Sequence, residues 1–502
     1  MMRSLFSGVA GLRTHQTRMD VIGNNIANVN TVAYKSNSVT FQDLLYQTTQ
    51  NASGANAATG RAGINAKQIG LGVSTGAIST NITTPGSAQN TGSPFDIRIT
   101  GDSFFVVSDG GNQYYTRAGA FNVDANGTLC MATNGYTVMG YGTTTDATGA
   151  TVINTGALKS LDVMSDANMI SAPVSTTNTY GTGILDKNSD SLDTTAGQVF
   201  TVPFYDSLGY SYTGMFKIER QNGAGKTDNG QYKMTMTDIV DSEGKSIFKT
   251  DAGEEMTASA KETALAGANV FTTGSNVAYL TFDTFKTADT TTAKGTLMSV
   301  SAAAATAAVT ALQYNKVNGE DYVGLGLNLS GLNGYAGGFS NMNSTANKAV
   351  AIDLSTVQNI DNKGSSTMNG KRGRIESDAG AGCAVGEMSS LSIGQDGKIT
   401  AAYTNGQTKL LGQIATATFA NASGLEKTGD NLYSTTLNSG EAVINDITAN
   451  GGSMSTGELE MSNVDLSDEF TTMITTQRGF QANSRIITVS DSMLEELVNL
   501  KR

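Results

Sequence analysis

The chain has 502 residues and a mass of 52.0 kDa, more than one hydrophobic core usually serves, so about three domains are expected. A net charge of −12 and a pI near 4.7 exclude the basic stripe of a nucleic-acid binder and electrostatic attachment to anionic lipid. With 58 Gly, 4 Pro, no Trp and 15% charged residues, the composition fits many short strands joined by polar turns, and no apolar run approaches the roughly 18 residues of a membrane span.

The opening MMRSLFSGVAGLRTHQTRMD has no apolar run of secretory-signal length. Ser4 to about Asn28 reads instead as a helix roughly 37 Å long. Leu5, Leu12, Met19 and Ile26 recur every seventh residue on it, a narrow seam that wants a partner helix. Gly8, Gly11 and Gly23, with Ala10 beside them, are poor helix formers that suit a close helix–helix approach. Asn24, Asn25, Asn28 and Asn30 then interrupt the helix with side chains that compete for backbone hydrogen bonds.

Residues 1–30 are therefore expected to be terminal helix and 31–75 an extended connector, with 48–66 lacking any periodicity. Strand grammar starts after that. Phe95, Ile97 and Ile99 alternate with polar neighbours, Phe105 and Val107 follow the Gly101-Asp102 turn, and Asp109-Gly110-Gly111-Asn112 marks a hairpin. The same grammar returns at Leu391, Ile393, Ile399, Ala401 and Tyr403, so 76–150 and 366–461 are expected to close one β-rich middle domain. The insert, 151–365, is expected to hold one or two β-domains. VFTVPFYDSLGYSYTGMFKIER is a firm strand pair within it, and SAAAATAAVTAL at 301–312 is compatible with helix.

The last segment, 462–502, is the strongest helix in the chain. Leu466, Met473, Phe480, Ile487 and Leu494 repeat the seven-residue step, and Phe470, Ile474, Met493, Leu497 and Val498 widen the apolar face. Asp465, Asp468 and Glu469 stand in its first turns, where they complement the helix dipole. The fold class is mainly β with α-helical termini, in which the two end helices pair as a coiled-coil-like inner domain and the inserted β-rich segment forms an outer one. A strict seam at both ends, with no adjoining helical domain to pack on, marks a subunit that polymerises, and contacts that do not close into a ring would give a tube.

Catalysis finds no support in the residues. His15 is the sole histidine, it lies beside the seam, and no G-x-S-x-G accompanies it. NGAGKT at 222–227 fails as a phosphate loop because the required first Gly is Arg220, and IGLGVSTG at 69–76 misses the dinucleotide spacing by one residue. Cys130 and Cys383 cannot make a disulfide framework or a Cys-based metal site and are expected as free thiols. No cofactor, no metal and no enzymatic activity are expected. A secreted β-rich adhesin would need a signal peptide or anchor, and a carbohydrate-active enzyme would need paired acids in a cleft.

The ends carry a resemblance. SGVAGLRTHQTRMDVIGNNIANVNTVAYK, with Asn24, Asn25, Ile26, Ala27 and Asn28 at its centre, resembles the N-terminal signature of the axial proteins of the bacterial flagellum. GELEMSNVDLSDEFTTMITTQRGFQANSRIITVSDSMLEELVNLKR, with Gln477, Arg478, Ala482 and Asn483, resembles their C-terminal signature. DIRITGDSFFVV, YYTRAGAFNVDANGTL and the later GQDGKITAAYTNGQTKLLGQIATATFANASGLEKTGDNLY look like the two halves of the middle domain, and VPFYDSLGYSYTGMFKIE resembles a strand turn of hook outer domains. The resemblance covers roughly 1–250 and 345–502. Distal rod proteins are about half as long, and junction proteins do not usually carry the Tyr-Asp-Ser-Leu-Gly turn or the hook-type middle-domain strands, so hook proteins fit best, with junction and rod proteins as the alternatives.

The resemblance implies a flexible curved tube acting as a universal joint between rod and filament. It also implies an extracellular place in the hook and basal body, and export by the flagellar type III apparatus without a cleaved signal peptide. Implied partners are copies of the chain itself, the distal rod protein, the hook cap and the hook–filament junction protein, with no nucleic acid and no membrane insertion. Some members are cross-linked between subunits through a Cys and a Lys, which makes Cys130 or Cys383 conceivable donors.

Overall fold

In the computed structural model the described residues are 2–500 without 55–59, 61, 147–150, 222–229, 251, 284–294, 306–308, 310, 344 and 347. They form two compact units, one of residues 1–169, 388–402 and 408–502, the other of 170–387 and 403–407.

The first unit carries both long helices, Met2–Ala27 and Leu466–Asn499. Between the N-terminal helix and the β-domain, strand Asn37–Asp43 pairs antiparallel with Val73–Thr80, and Tyr46–Gln50 with Lys67–Gly70, giving two ribbons. The β-domain is knitted from both halves of the chain. Phe104–Ser108 pairs with Gln113–Thr116 and with Thr416–Thr418, Gly140 faces Ile414, and Tyr115 faces Tyr433. Phe104-Phe105-Val106-Val107 is a continuous apolar run because the strand is covered on both faces. Phe105 and Val107 join Ile97, Phe121, Leu129, Ile399 and Ile414, while Phe104 and Val106 join Ile82, Tyr115, Ala417 and Tyr433.

The second unit is built on a five-stranded antiparallel meander of Gln198–Tyr205, Ser211–Arg220, Gln231–Asp241, Val277–Phe282 and Leu297–Ser301. Its period of two is plain in the first strand, where Phe200, Val202 and Phe204 are fully buried and Val199 is exposed. Asp206 turns that strand into the next: its Oδ1 accepts from the N–H groups of Leu208 and Tyr210 at 3.0 and 2.8 Å, and Gly209 takes φ +89°. A second sheet orders Gly324–Leu327, Val350–Asp353, Asn178–Ile184 and Thr367–Arg372, and one core runs through both sheets and the helix Ala258–Gly267. That helix also buries a charge: Lys261 Nζ donates to Asp238 Oδ2 at 2.6 Å and pairs with Glu255.

Several expectations need correction. Strand Thr151–Ser160 pairs with Thr137–Thr145 and belongs to the first unit, so the insert begins near 170 rather than 151. Residues 366–387 belong with the insert, since Thr367–Arg372 completes its second sheet beside Asn178–Ile184. The connector range 31–75 contains the first ribbon strands, which end at Thr80, and part of its aperiodic stretch, 55–59 and 61, lies outside the described residues. No described residue of 302–312 is helical: the segment continues from a strand that pairs with Val277–Phe282, and an Ala/Thr run has no apolar face to hold a helix down. The NGAGKT stretch at 222–227 lies outside the described residues.

Candidate functional site: the terminal helix pair

The two terminal helices pack antiparallel, and the residues that meet across the pair follow a simple line. Ser4 meets Ser490 (Oγ–Oγ 3.4 Å), Gly8 lies under Ile487, Gly11 under Asn483, Gly479 under His15, and Asn25 donates to Glu469 Oε1 at 2.8 Å. A Cβ at Gly11 would stand 2.6 Å from Asn483 Nδ2, and one at Gly479 would stand 2.7 Å from His15 Cε1. A methyl at either position would force the facing Asn483 or His15 side chain to move, whereas Gly23 faces open space. Thr14, Ile22, Thr476 and Ser490 complete a buried interior of small and mostly polar groups.

Of the heptad residues, Ile487 lies on this line over Gly8. Leu5, Leu12, Met19, Ile26, Met473, Ile487 and Leu494 are half-buried, and Leu466 and Phe480 are exposed. Still further out, Phe470, Ile474, Ile486, Val489, Met493, Leu497 and Val498 are between 44% and 68% exposed. The chain thus pairs its own helices mainly through small and polar residues, with Ile22 and Ile487 among them, and leaves most of its other large apolar residues on the outside.

At the C-terminal helix start, Asp465 is the N-cap, its Oδ1 accepting from the N–H groups of Ser467 at 2.8 Å and Asp468 at 3.4 Å. The asparagine signature ends the other helix. Asn28 Nδ2 donates to the backbone O and Oδ1 of Asn24 at 2.9 and 2.8 Å. Asn25, 1% exposed, uses its whole amide: Nδ2 donates to Asn37 O as well as Glu469, and Oδ1 accepts from Asn37 N–H and the Tyr34 hydroxyl. Burial, and then the Glu469 charge, raise the Tyr34 hydroxyl's pKa, and burial raises that of Glu469. Ile26 is half-buried and Ala27 exposed, as are Gln477, Arg478 and Ala482, while Asn483 reaches the pair interior.

Sequence reading missed the charged root of the pair. Lys35 Nζ donates to Glu460 Oε1 at 2.7 Å and to Thr84 O at 2.8 Å, Gly86 N–H donates to the same Oε1 at 3.0 Å, and Arg117 Nη1 stands 3.6 Å from Oε2. All three charged side chains are within 1% of complete burial. Burial lowers the pKa of both cations, and Glu460 opposes that shift at each. Asn463 adds a neutral tie, accepting from Ser36 N–H at 2.8 Å and donating to Asn81 O and Thr84 O. Lys35 lies inside the N-terminal signature and Glu460 inside the C-terminal one, which was the available signal.

His15 sits where the pair meets the first ribbon, edge-on to Phe41 at 5.7 Å, with Arg18 over the same ring at 5.5 Å. Its Nδ1 is buried without a hydrogen-bond partner among the described residues. Burial first, and the Arg18 guanidinium second, hold its pKa below the usual 6.5. Among the described residues no cluster of three or more His, Cys, Asp or Glu could hold a metal, and no helix is long and apolar enough to cross a membrane. Both cysteines are free; Cys383 is buried, and Cys130 is half-buried with its thiol donating to Asn122 O at 3.4 Å.

Three family models match the chain: "Flagella basal body rod protein" over residues 5–35, "Flagellar hook protein FlgE/F/G D1 domain" over 98–171, and "Flagellar basal body rod FlgEFG protein C-terminal" over 455–500. The flagellar basal-body rod protein FlgG of Bacillus subtilis is 52% identical over 137 residues, which is 27% of this chain and 48% of that protein. The flagellar hook protein FlgE of Treponema pallidum is 36% identical over 511 residues, and that of Borreliella burgdorferi 33% over 519, each match covering 100% of both chains. Identity of that order along the whole length shows that the chain belongs to the flagellar hook protein FlgE family and is a structural subunit of the hook.

Proposed function

We propose that the chain polymerises with copies of itself through its terminal helices into the tube of the hook, and that this tube works as a universal joint passing torque from rod to filament. The observation that carries this reading is the outward face of the C-terminal helix, where Phe470, Ile474, Val489, Met493 and Leu497 stand in water on a chain whose β-units have ample core. An apolar stripe of that length is a contact surface, and neighbouring subunits would cover it. The β-rich units would then form the tube's outer layers, sliding against their neighbours as the joint turns.

Partners beyond the chain itself would be the distal rod protein at one end, the hook cap during growth, and the junction protein at the other end. Delivery would run through the flagellar type III export apparatus, without a cleaved signal peptide, to the outside of the cell. Two free thiols and the absence of a disulfide framework suit passage as an unfolded chain. The heptad residues at 5, 12, 19, 26, 466, 473, 480, 487 and 494 would act at the margins of the pair, contacting both the partner helix and the next subunit.

The test is Ile474→Asp, a charge on the outward face that touches none of the pairing line. Purified chain should keep its helix content by circular dichroism and lose the tubes seen by electron microscopy. Tubes at the wild-type yield would overturn the reading.

A further inference from the structure

We propose that the groove between the N-terminal helix and the adjoining ribbons is the socket that receives the C-terminal helix of a second copy. The inference rests on the reading of the chain as a polymerising subunit and names the two surfaces that meet.

The groove has a volume of about 540 Å³ and is lined by Phe6, Val9 and Arg13 from the helix and by Leu44, Leu71 and Val73 from the ribbon strands and their turn. Phe6 and Val9 are 66% and 41% exposed, so large apolar side chains face an open cleft. At about 100° per residue, Phe6, Val9 and Arg13 fall on the side of the helix opposite Ser4, Gly8, Gly11 and His15, which meet the chain's own C-terminal helix. The chain's own C-terminal helix is committed to the other face and cannot fill the cleft.

The matching ridge is on that C-terminal helix. Ile486, Val489, Met493 and Leu497 recur at three- and four-residue steps and are all at least 44% exposed. Ser4 meets Ser490, so ridge and groove lie at the same end of the helix pair on different faces. Pairs standing side by side would seat the ridge of one in the groove of the next.

Charge agrees with this pairing. Arg13 is the charged member of the groove lining, and the N-terminal helix carries Arg3, Arg13 and Arg18 against Asp20. Between Arg485 and Lys501 the ridge segment carries Asp491, Glu495 and Glu496 and no basic residue, and Glu496 borders Met493 one turn on. Because ridge and groove are different patches of one chain, the contact is heterologous, and its repetition builds an open helix or tube rather than a closed dimer.

Two chains lacking Cys130 and Cys383, one bearing Val9→Cys and the other Met493→Cys, would be mixed, polymerised and oxidised with copper phenanthroline. A disulfide dimer confined to the mixed polymer is expected, with none from either variant alone or from dilute monomer. Charge reversal gives a readout independent of the cysteines: Arg13→Glu and Glu496→Arg should each lower polymer yield at least tenfold, and the double variant should restore it. Wild-type tubes together with no Val9–Met493 dimer and no charge rescue would overturn the socket while leaving polymerisation standing. Failure of the wild-type chain to polymerise would overturn both, and cross-linking of Val9→Cys to a different protein would overturn the choice of occupant.

Discussion

Lys35 and Glu460 are 425 positions apart in sequence, yet their side chains meet at 2.7 Å with no exposure to water. The contact fastens the chain leaving the N-terminal helix to the strand that leads into the C-terminal one. Arg117, at 3.6 Å from the second carboxylate oxygen, shares the same anion. Removing Glu460 therefore strands two buried cations, whereas removing Lys35 leaves an Arg–Glu pair. Glu460→Met should destabilise the first unit by about 3–5 kcal/mol and Lys35→Met by less, read from urea unfolding of the full chain. Equal losses would show that the carboxylate does not organise the cluster.

Close approach of the helices makes a second prediction about single atoms. Gly479→Ala puts a methyl against the His15 ring and Gly11→Ala puts one against the Asn483 amide, so each should reduce helix pairing and thermal stability. Gly23→Ala meets open space and should stabilise the helix by up to about 1 kcal/mol. Helical circular dichroism of the three variants through a thermal melt separates them.

Ile487 leans over Gly8, with Cγ1 3.2 Å from where a Cβ would stand. Ile487→Asp should cost helix content as well as tubes while leaving the β-units folded, in contrast to Ile474→Asp, which should cost tubes alone. Paired circular dichroism and sedimentation of the two variants would check that ordering.

His15 supplies a pH dependence. Its pKa in the folded chain is below the ordinary 6.5, so the unfolded chain binds the proton more readily. Above pH 6.5 both states are neutral and the residue is silent; as the pH falls below 6.5 the helix pair loses stability, down to the folded-state pKa. His15→Gln should flatten the difference between melts at pH 8 and pH 5, and an unchanged difference would assign it to other groups.

Described residues within 255–335 form part of the second unit's core. Leu265, Phe271, Leu280, Leu297, Leu325 and Leu332 all contribute buried side chains. Deleting the segment should unfold that unit, seen as loss of its protease resistance, instead of trimming a surface elaboration.

Periodicity revealed what periodicity controls. The terminal helices and the strands Gln198–Tyr205 and Ser211–Arg220 could be read because large apolar residues recur at the helix or strand step. That signal marked Ile487, which packs on Gly8, while Gly8 and Gly11 were legible only as poor helix formers that suit a close approach. Ser4 and Ser490, which also meet across the pair, are small polar residues that leave little mark in an apolar pattern. Lys35, Arg117 and Glu460 could not be joined from sequence, since nothing local in an isolated lysine announces an acid 425 positions away. The described residues of the helix-compatible run at 301–312 are not helical, since helix propensity without an apolar face yields to the sheet that claims Ser301.

The most direct test of the account is electron microscopy of detergent-extracted flagellar bases labelled with an antibody to the second unit, residues 170–387. Label along the full length of a short curved tube between rod and filament is the expected result. Label confined to a thin band at the filament junction, or absent from flagellar structures, would contradict it.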